Sequence, residues 1–200
     1  VGLCDTYEPH LLQASALLES ETKTFKDYRL MFDELDLDAV IIATPLHQHA
    51  QMTIDALDLG IHVYLEKSMG RTLDEVKDIF ESYKRNSAVL QIGHQRMFSP
   101  VYLEAMKKLH EQSTVGQITM LRGCWMRNTE WIFYETEGGR GTPEDRLRNW
   151  RLYWESSAGM ITELGSHHFQ IANWVLGEQP LSVVGNASLN YYTDGREVDD

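Results

Sequence analysis

Along the first half of the chain, short apolar runs alternate with longer stretches whose apolar residues recur at helical spacing. The strand-like runs lie at 1–4, 39–43, 62–65 and 89–92, and the helical stretches at 9–18, 27–35, 49–59 and 73–83. Ala39-Val40-Ile41-Ile42-Ala43 is apolar throughout, the pattern of a strand buried on both faces. The stretch 49–59 puts Met52, Ala56 and Leu59 on one helix face and meets Gly60, a residue suited to ending a helix. Strand and helix alternating at this rhythm imply right-handed βαβ units and a parallel sheet.

After Gly93 the pattern changes. A helix is expected over 100–111, opened by Pro100, and another over 166–176, stopped by Gly177. The stretches 117–125 and 180–192 alternate as strands of a sheet with one open face. Between them, 128–157 is rich in Gly, Arg and aromatics, and a loop that long is usually functional or disordered. The expected fold class is α/β: a Rossmann-type parallel sheet over 1–98, then an α+β domain with a mostly antiparallel sheet over 99–200. The chain starts inside a strand and ends without a stopping point, so both domains read as incomplete, with a first strand upstream of residue 1.

A chain of 200 residues with 42% hydrophobic content can bury a core. Its net charge of -12 argues against nucleic acid or an anionic membrane as the main partner. No apolar run of about eighteen residues is present, so no transmembrane helix is expected. Cys4 and Cys124 form neither a metal-ligand spacing nor a disulfide framework and read as buried free thiols. They fit the cytoplasm, or the periplasm if a signal segment was removed upstream.

The chemistry concentrates at strand ends, where open α/β sheets keep their ligands. His62-Val63-Tyr64-Leu65 runs directly into Glu66-Lys67, either a solvated salt bridge or a cation placed to meet a ligand. Asp5 closes the first strand, as an ordinary turn aspartate or as the acid that accepts hydrogen bonds from an adenosine ribose. Such an acid favours NAD over NADP. No G-x-G-x-x-G turn occurs; if 1–4 is the second strand of a dinucleotide-binding sheet, that turn lies upstream. Thr44-Pro45 follows the most apolar strand, with His47 and His49 as ligand donors or as a helix cap with a structural histidine. No local acid or cysteine completes a metal site with them, and no metal is expected. Glu163 and His167 stand four apart, either a surface pair or a proton shuttle. With Ser166 as helix start, the dipole would disfavour the imidazolium of His167.

The order of Asp5, Thr44-Pro45, Glu66-Lys67 and Glu163-x-x-x-His167 resembles the Gfo/Idh/MocA family of NAD(P)-dependent sugar and inositol dehydrogenases. The resemblance spans essentially the whole chain. It implies catalytic roles for Lys67 and His167, with Glu163 where many members carry aspartate. It implies NAD as cofactor, held by Asp5, Thr44, Pro45, His47, His49, Glu66, Lys67, Gln95 and Arg96. On the substrate side Arg96, Arg127, Asn128, Trp131, Trp150, Arg151 and His168 are candidates, since aromatics stack on sugar faces and guanidiniums bind hydroxyls or carboxylates. Ser68 replaces the proline of the family's Glu-Lys-Pro motif, and a trans peptide is expected there. The implied reaction is hydride transfer between nicotinamide and a sugar, polyol or glycoside hydroxyl carbon. A lysine acting as base in it needs a lowered pKa. The alternatives are an NAD-dependent glycosidase working by transient oxidation and elimination, and a non-catalytic sensor or scaffold on the same fold. The resemblance also implies a homo-oligomer joined through the C-terminal sheet.

Overall fold

The computed structural model describes residues 1–18, 21–126 and 132–198. Five strands form in the first half: β1 (Gly2–Cys4), β2 (Lys23–Phe25), β3 (Ala39–Ile42), β4 (His62–Leu65) and β5 (Leu90–Ile92). All pairing is parallel, β1 with β2 in one sheet and β3-β4-β5 in order in the other. Helices α1 (Glu8–Ala16), α2 (Tyr28–Glu34), α3 (His49–Asp58) and α4 (Leu73–Arg85) connect the strands. β2 was not foreseen: Lys-Thr-Phe offers a single buried side chain, too little for a periodicity.

β4 alternates strictly, Val63 and Leu65 buried and His62 and Tyr64 exposed. The inward pair joins Ile42, Ala50, Ala56, Leu57, Ile61, Ile79 and Ala88 in one core with Phe25, Met31 and Phe32. That packing, through the area it removes from water, is the main stabilising term. β3 departs from the expectation of two covered faces. Ile41 is 75% exposed, because helices cover only the face to which Ile42 points.

Local signals set the helix ends. Thr72 and Glu75 close a reciprocal capping box on α4. Gly60, at φ +79°, turns the chain after α3 in a conformation a side chain would strain.

The second half contains α5 (Pro100–Met106), continued by a π-helical stretch over Lys107–Glu111, α6 (Pro143–Arg148) and α7 (Ser166–Leu176). α7 continues a π-helical turn over Ile161–Gly165. Among the described residues neither 117–125 nor 180–192 enters a β ladder, so the expected antiparallel sheet is not confirmed. Alternation marks a face, but a strand exists only with a hydrogen-bonded partner. Val184 is accordingly 96% exposed, and Cys124 is exposed rather than buried. No helix among the described residues is long and apolar enough to cross a membrane.

Candidate functional site

Strands β3, β4 and β5 end side by side, and three exits leave this edge: Ala43-Thr44-Pro45, Glu66-Lys67-Ser68 and Gly93-His94. The ladder fixes their spacing, since Glu66 N–H donates to Ile42 O (2.9 Å) and Gly93 N–H to Leu65 O (2.7 Å). A side chain at Gly93 would come within 3.0 Å of Glu66 Oε1, so glycine is needed for the carboxyl to lie there.

The Lys67–Ser68 peptide is cis, not trans as expected. Two polar groups of Ser68 are engaged: its carbonyl faces His49 Nδ1 at 2.7 Å, and its hydroxyl donates to Thr162 O at 3.1 Å. His49 is buried, with Nε2 2.9 Å from Thr44 O. Its imidazole therefore spans two of the exits, and both ring nitrogens are occupied by the chain itself. It positions Thr44 and Ser68 instead of presenting a donor to a cofactor. His49→Ala leaves both carbonyls without that partner. A loss of about 1–3 kcal/mol is expected, read by chemical denaturation, with kcat falling more than KM rises.

The far half of the chain closes over this edge. Lys67 Nζ donates to Glu163 O at 2.8 Å and lies 3.5 Å from Glu163 Oε2. Glu163 is 6% exposed, and Arg151 Nε approaches the same oxygen at 3.5 Å. One buried carboxylate is thus shared by two cations, which a lone buried acid would need. Arg151 also lies over the Trp150 ring, 4.1 Å from its centroid. Burial pulls the Arg151 pKa down, against the attraction of Glu163.

His167 is 4% exposed, stacked on Trp125 (6.2 Å, 21°) and met edge-on by His94 (5.8 Å, 89°). Burial lowers its pKa to about 4, helped by the charges of Lys67 and Arg96. The expected helix-dipole cause does not hold. The π turn leads straight into α7, so His167 is not in the first turn of an isolated helix. The sign for stability follows: between pH 6.5 and about 4 the unfolded chain takes up a proton that the folded imidazole refuses. Stability should fall as pH drops through that window, and an NMR titration of His167 should show a neutral ring down to about pH 5.

The other expected residues divide by place. Asp5, at the end of β1, accepts from Tyr7 N–H (2.8 Å) and lies 3.1 Å from His10 Nδ1. Thr44 turns its hydroxyl to Met52 sulfur (3.6 Å), and Pro45 opens a short 3-10 turn over Leu46–Gln48. His47 N–H donates to Ser156 O at 3.3 Å, and its pKa is lowered by burial and by Arg71. Gln95 is exposed on the 3-10 turn Gln95–Phe98, whereas Arg96 lies over Trp125 and beside His168's groove. Arg127, Asn128 and Trp131 lie outside the described residues. Two members were missed. His94 follows β5 as Lys67 follows β4, a positional signal that was open to reading. Trp125 was seen only as a strand end.

A family model described as "Oxidoreductase family, NAD-binding Rossmann fold" matches residues 1–94, and one described as "GFO/IDH/MocA C-terminal domain" matches 103–200. Among curated proteins, the chain is 27% identical over 171 residues to levoglucosan dehydrogenase of Pseudarthrobacter phenanthrenivorans, covering 85% of the chain and 41% of that protein. It is 26% identical over 159 residues to scyllo-inositol 2-dehydrogenase (NAD(+)) of Bacillus subtilis, covering 80% and 41% respectively. The chain thus spans about two-fifths of the length of these relatives. Among solved structures, the WlbA dehydrogenase of Bordetella pertussis in complex with NADH and UDP-GlcNAcA superposes at a TM-score of 0.76, with 24% identity, over 100% of this chain and 56% of that one. Myo-inositol 2-dehydrogenase of Lactobacillus plantarum gives 0.68 and 23% identity, over 88% and 48%. These last two likenesses concern the fold.

Proposed function

The chain belongs to the Gfo/Idh/MocA oxidoreductase family, and on that premise we propose that the protein is an NAD-dependent dehydrogenase of sugar or polyol hydroxyl carbons. The observation that carries the reading is the convergence of Lys67 and His167. Residues far apart in the chain meet at the carboxyl edge of β4 through the contacts of Lys67 with Glu163.

The residues present fit the nicotinamide end of such a cofactor. The buried Nδ1 atoms of His94 and His167 have no hydrogen-bond partner among the described residues, and Gly93 keeps the edge beside Glu66 clear. Asp5 would hold ribose hydroxyls, and Thr44, Pro45, His47, Glu66 and Gln95 would line the remainder. When bound, the nicotinamide supplies or accepts the hydride.

The chain's own residues handle the proton. Lys67, an ammonium already donating to Glu163 O, would donate to the substrate oxygen and stabilise charge developing there. His167, neutral by burial, would accept the hydroxyl proton when the alcohol is oxidised and return it in the reverse direction. Glu163 holds Lys67 and Arg151 in place.

We assign residues 1–98 to the cofactor half and 99–200 to the substrate half. The exposed Leu181, Val183 and Val184 support self-association through the second half. The free cysteines, Cys4 and Cys124, support a cytoplasmic location. The names of the relatives make inositols and levoglucosan the first substrates to test. NADH formation from NAD with one of these or a related polyol is the expected result. Failure of the protein to bind NADH, followed by quenching of tryptophan fluorescence, would sink the reading.

A further inference from the structure

An open groove of about 450 Å³ runs beside His167, lined by Arg96, Tyr102, Trp125 and His168 among others. That volume suits a sugar-sized ligand. Among the described residues, Arg96 is the one permanently charged group that lines it, and no carboxylate does. The guanidinium lies 4.9 Å from the centroid of Trp125 and 5.9 Å from that of Tyr102. Among the described residues it makes no ion pair. In a chain with a net charge of -12, an arginine held between two aromatic rings, with no acid paired to it among the described residues, is a selective feature. The charge of Lys67, which shares the carboxylate of Glu163 with Arg151, acts on the same His167 as that of Arg96.

We propose that Arg96 receives a carboxylate of the substrate, so that the protein acts on acid-bearing sugars or polyol acids in preference to their neutral parents. This rests on the dehydrogenase reading and narrows it. A guanidinium fork matches a carboxylate through two parallel N–H donors, while a stacked ring restricts the arginine's own freedom. The flanking Trp125 and Tyr102 offer apolar faces to the C–H side of a sugar ring. The sequence offers Arg96 to both the cofactor and the substrate; the groove puts it on the side of α7, next to His168.

A consequence reaches the base. After burial and Lys67, the charge of Arg96 is the next influence holding the His167 pKa down. A carboxylate bound to Arg96 cancels that charge and makes His167 a stronger proton acceptor when substrate is in place.

The test uses the full-length protein loaded with NADH, and calorimetric titration with three pairs of probes: D-glucuronate and D-glucose, D-galacturonate and D-galactose, D-gluconate and D-glucitol. In at least one pair the acid should bind about tenfold or more tightly than the neutral partner. That ratio should shrink as salt is raised, and Arg96→Gln should bring it to within about twofold. The salt series needs no variant, so a misfolded Arg96→Gln would not leave the proposal open. A ratio near one in every pair, or a preference unchanged by both salt and Arg96→Gln, would overturn the inference while NADH still binds. Loss of NADH binding itself would instead count against the dehydrogenase reading.

Discussion

Replacing Lys67 by methionine is expected to lower kcat by about 10²–10⁴-fold, with NADH affinity held within about threefold. Methionine keeps most of the stem's volume and removes only the ammonium. In the structure that ammonium has two duties. It donates to Glu163 O at 2.8 Å, which ties the carboxyl edge of β4 to the turn before α7. It also balances Glu163 together with Arg151. With the ammonium gone, Arg151 still faces the carboxylate, so the buried acid is not abandoned and the fold should survive. What disappears, on the proposed mechanism, is the donor to the reacting oxygen, an interaction that strengthens as charge develops. Steady-state kinetics against tryptophan-quenching titrations separate the two effects. A variant that lost NADH binding in the same proportion as kcat would show Lys67 to be a binding group and not a catalytic one. The His167 titration gives an independent check. Since Lys67 is, after burial, the next cause of the depressed imidazole pKa, that pKa should rise in the methionine variant.

The parts legible in sequence are those in which one short stretch carries its own periodicity. β4 and the step into Glu66-Lys67 could be read because alternation ends where the charges begin. Glu163 and His167 drew notice through their spacing of four, but the partners differ from that reading: Glu163 meets Lys67 and Arg151, and His167 meets Trp125 and His94. The reading failed where the outcome depends on distant partners. The apolar run in β3 looked doubly buried, yet Ile41 is exposed, with no core packing over it among the described residues. The stretches 117–125 and 180–192 have strand alternation but no ladder among the described residues. The neutrality of His167 was credited to a helix end, whereas burial, Lys67 and Arg96 produce it. No local rule could foresee that Ser68, in the place of a proline, would have its carbonyl and hydroxyl taken by His49 and Thr162. α6 was the avoidable omission. Thr142-Pro143-Glu144-Asp145 carries an N-cap, a proline at the first helical position and acids in the first turn, all ordinary start signals.

Asp145, in that same helix, carries the largest expected effect on stability. It is shut off from solvent, and every group that reaches it is a donor. Arg140 Nη1 (2.6 Å) and Asn149 Nδ2 (2.7 Å) meet Oδ1, joined by the Thr136 hydroxyl at 3.3 Å. Gly141 N–H (2.9 Å) and the Tyr153 hydroxyl meet Oδ2. Asn149 in turn exchanges hydrogen bonds with the backbone of Phe133, at 2.8 and 2.9 Å. Arg140 reaches Asp194 O at 3.0 Å. The stretch read as functional or disordered is therefore organised, through its described residues, around one carboxylate. Asp145→Asn keeps the shape but turns one acceptor oxygen into a donor, so that donors face donors around a buried amide. It also leaves Arg140 without its counter-charge. The expected cost is about 3–5 kcal/mol, or a Tm lower by roughly 10 °C for a chain of this size. Burial alone would raise the carboxyl pKa; hydrogen bonds from Tyr153, Gly141 and Asn149 with the charge of Arg140 hold it below the usual carboxylate range. Its contribution is therefore complete above that range and fades as pH falls through the lowered value. Thermal melts of the unmodified protein and Asp145→Asn should be furthest apart near neutrality and converge in acid. Parallel curves across that range would mean that the carboxylate is not the charged hub of the segment carrying Arg151 toward Glu163.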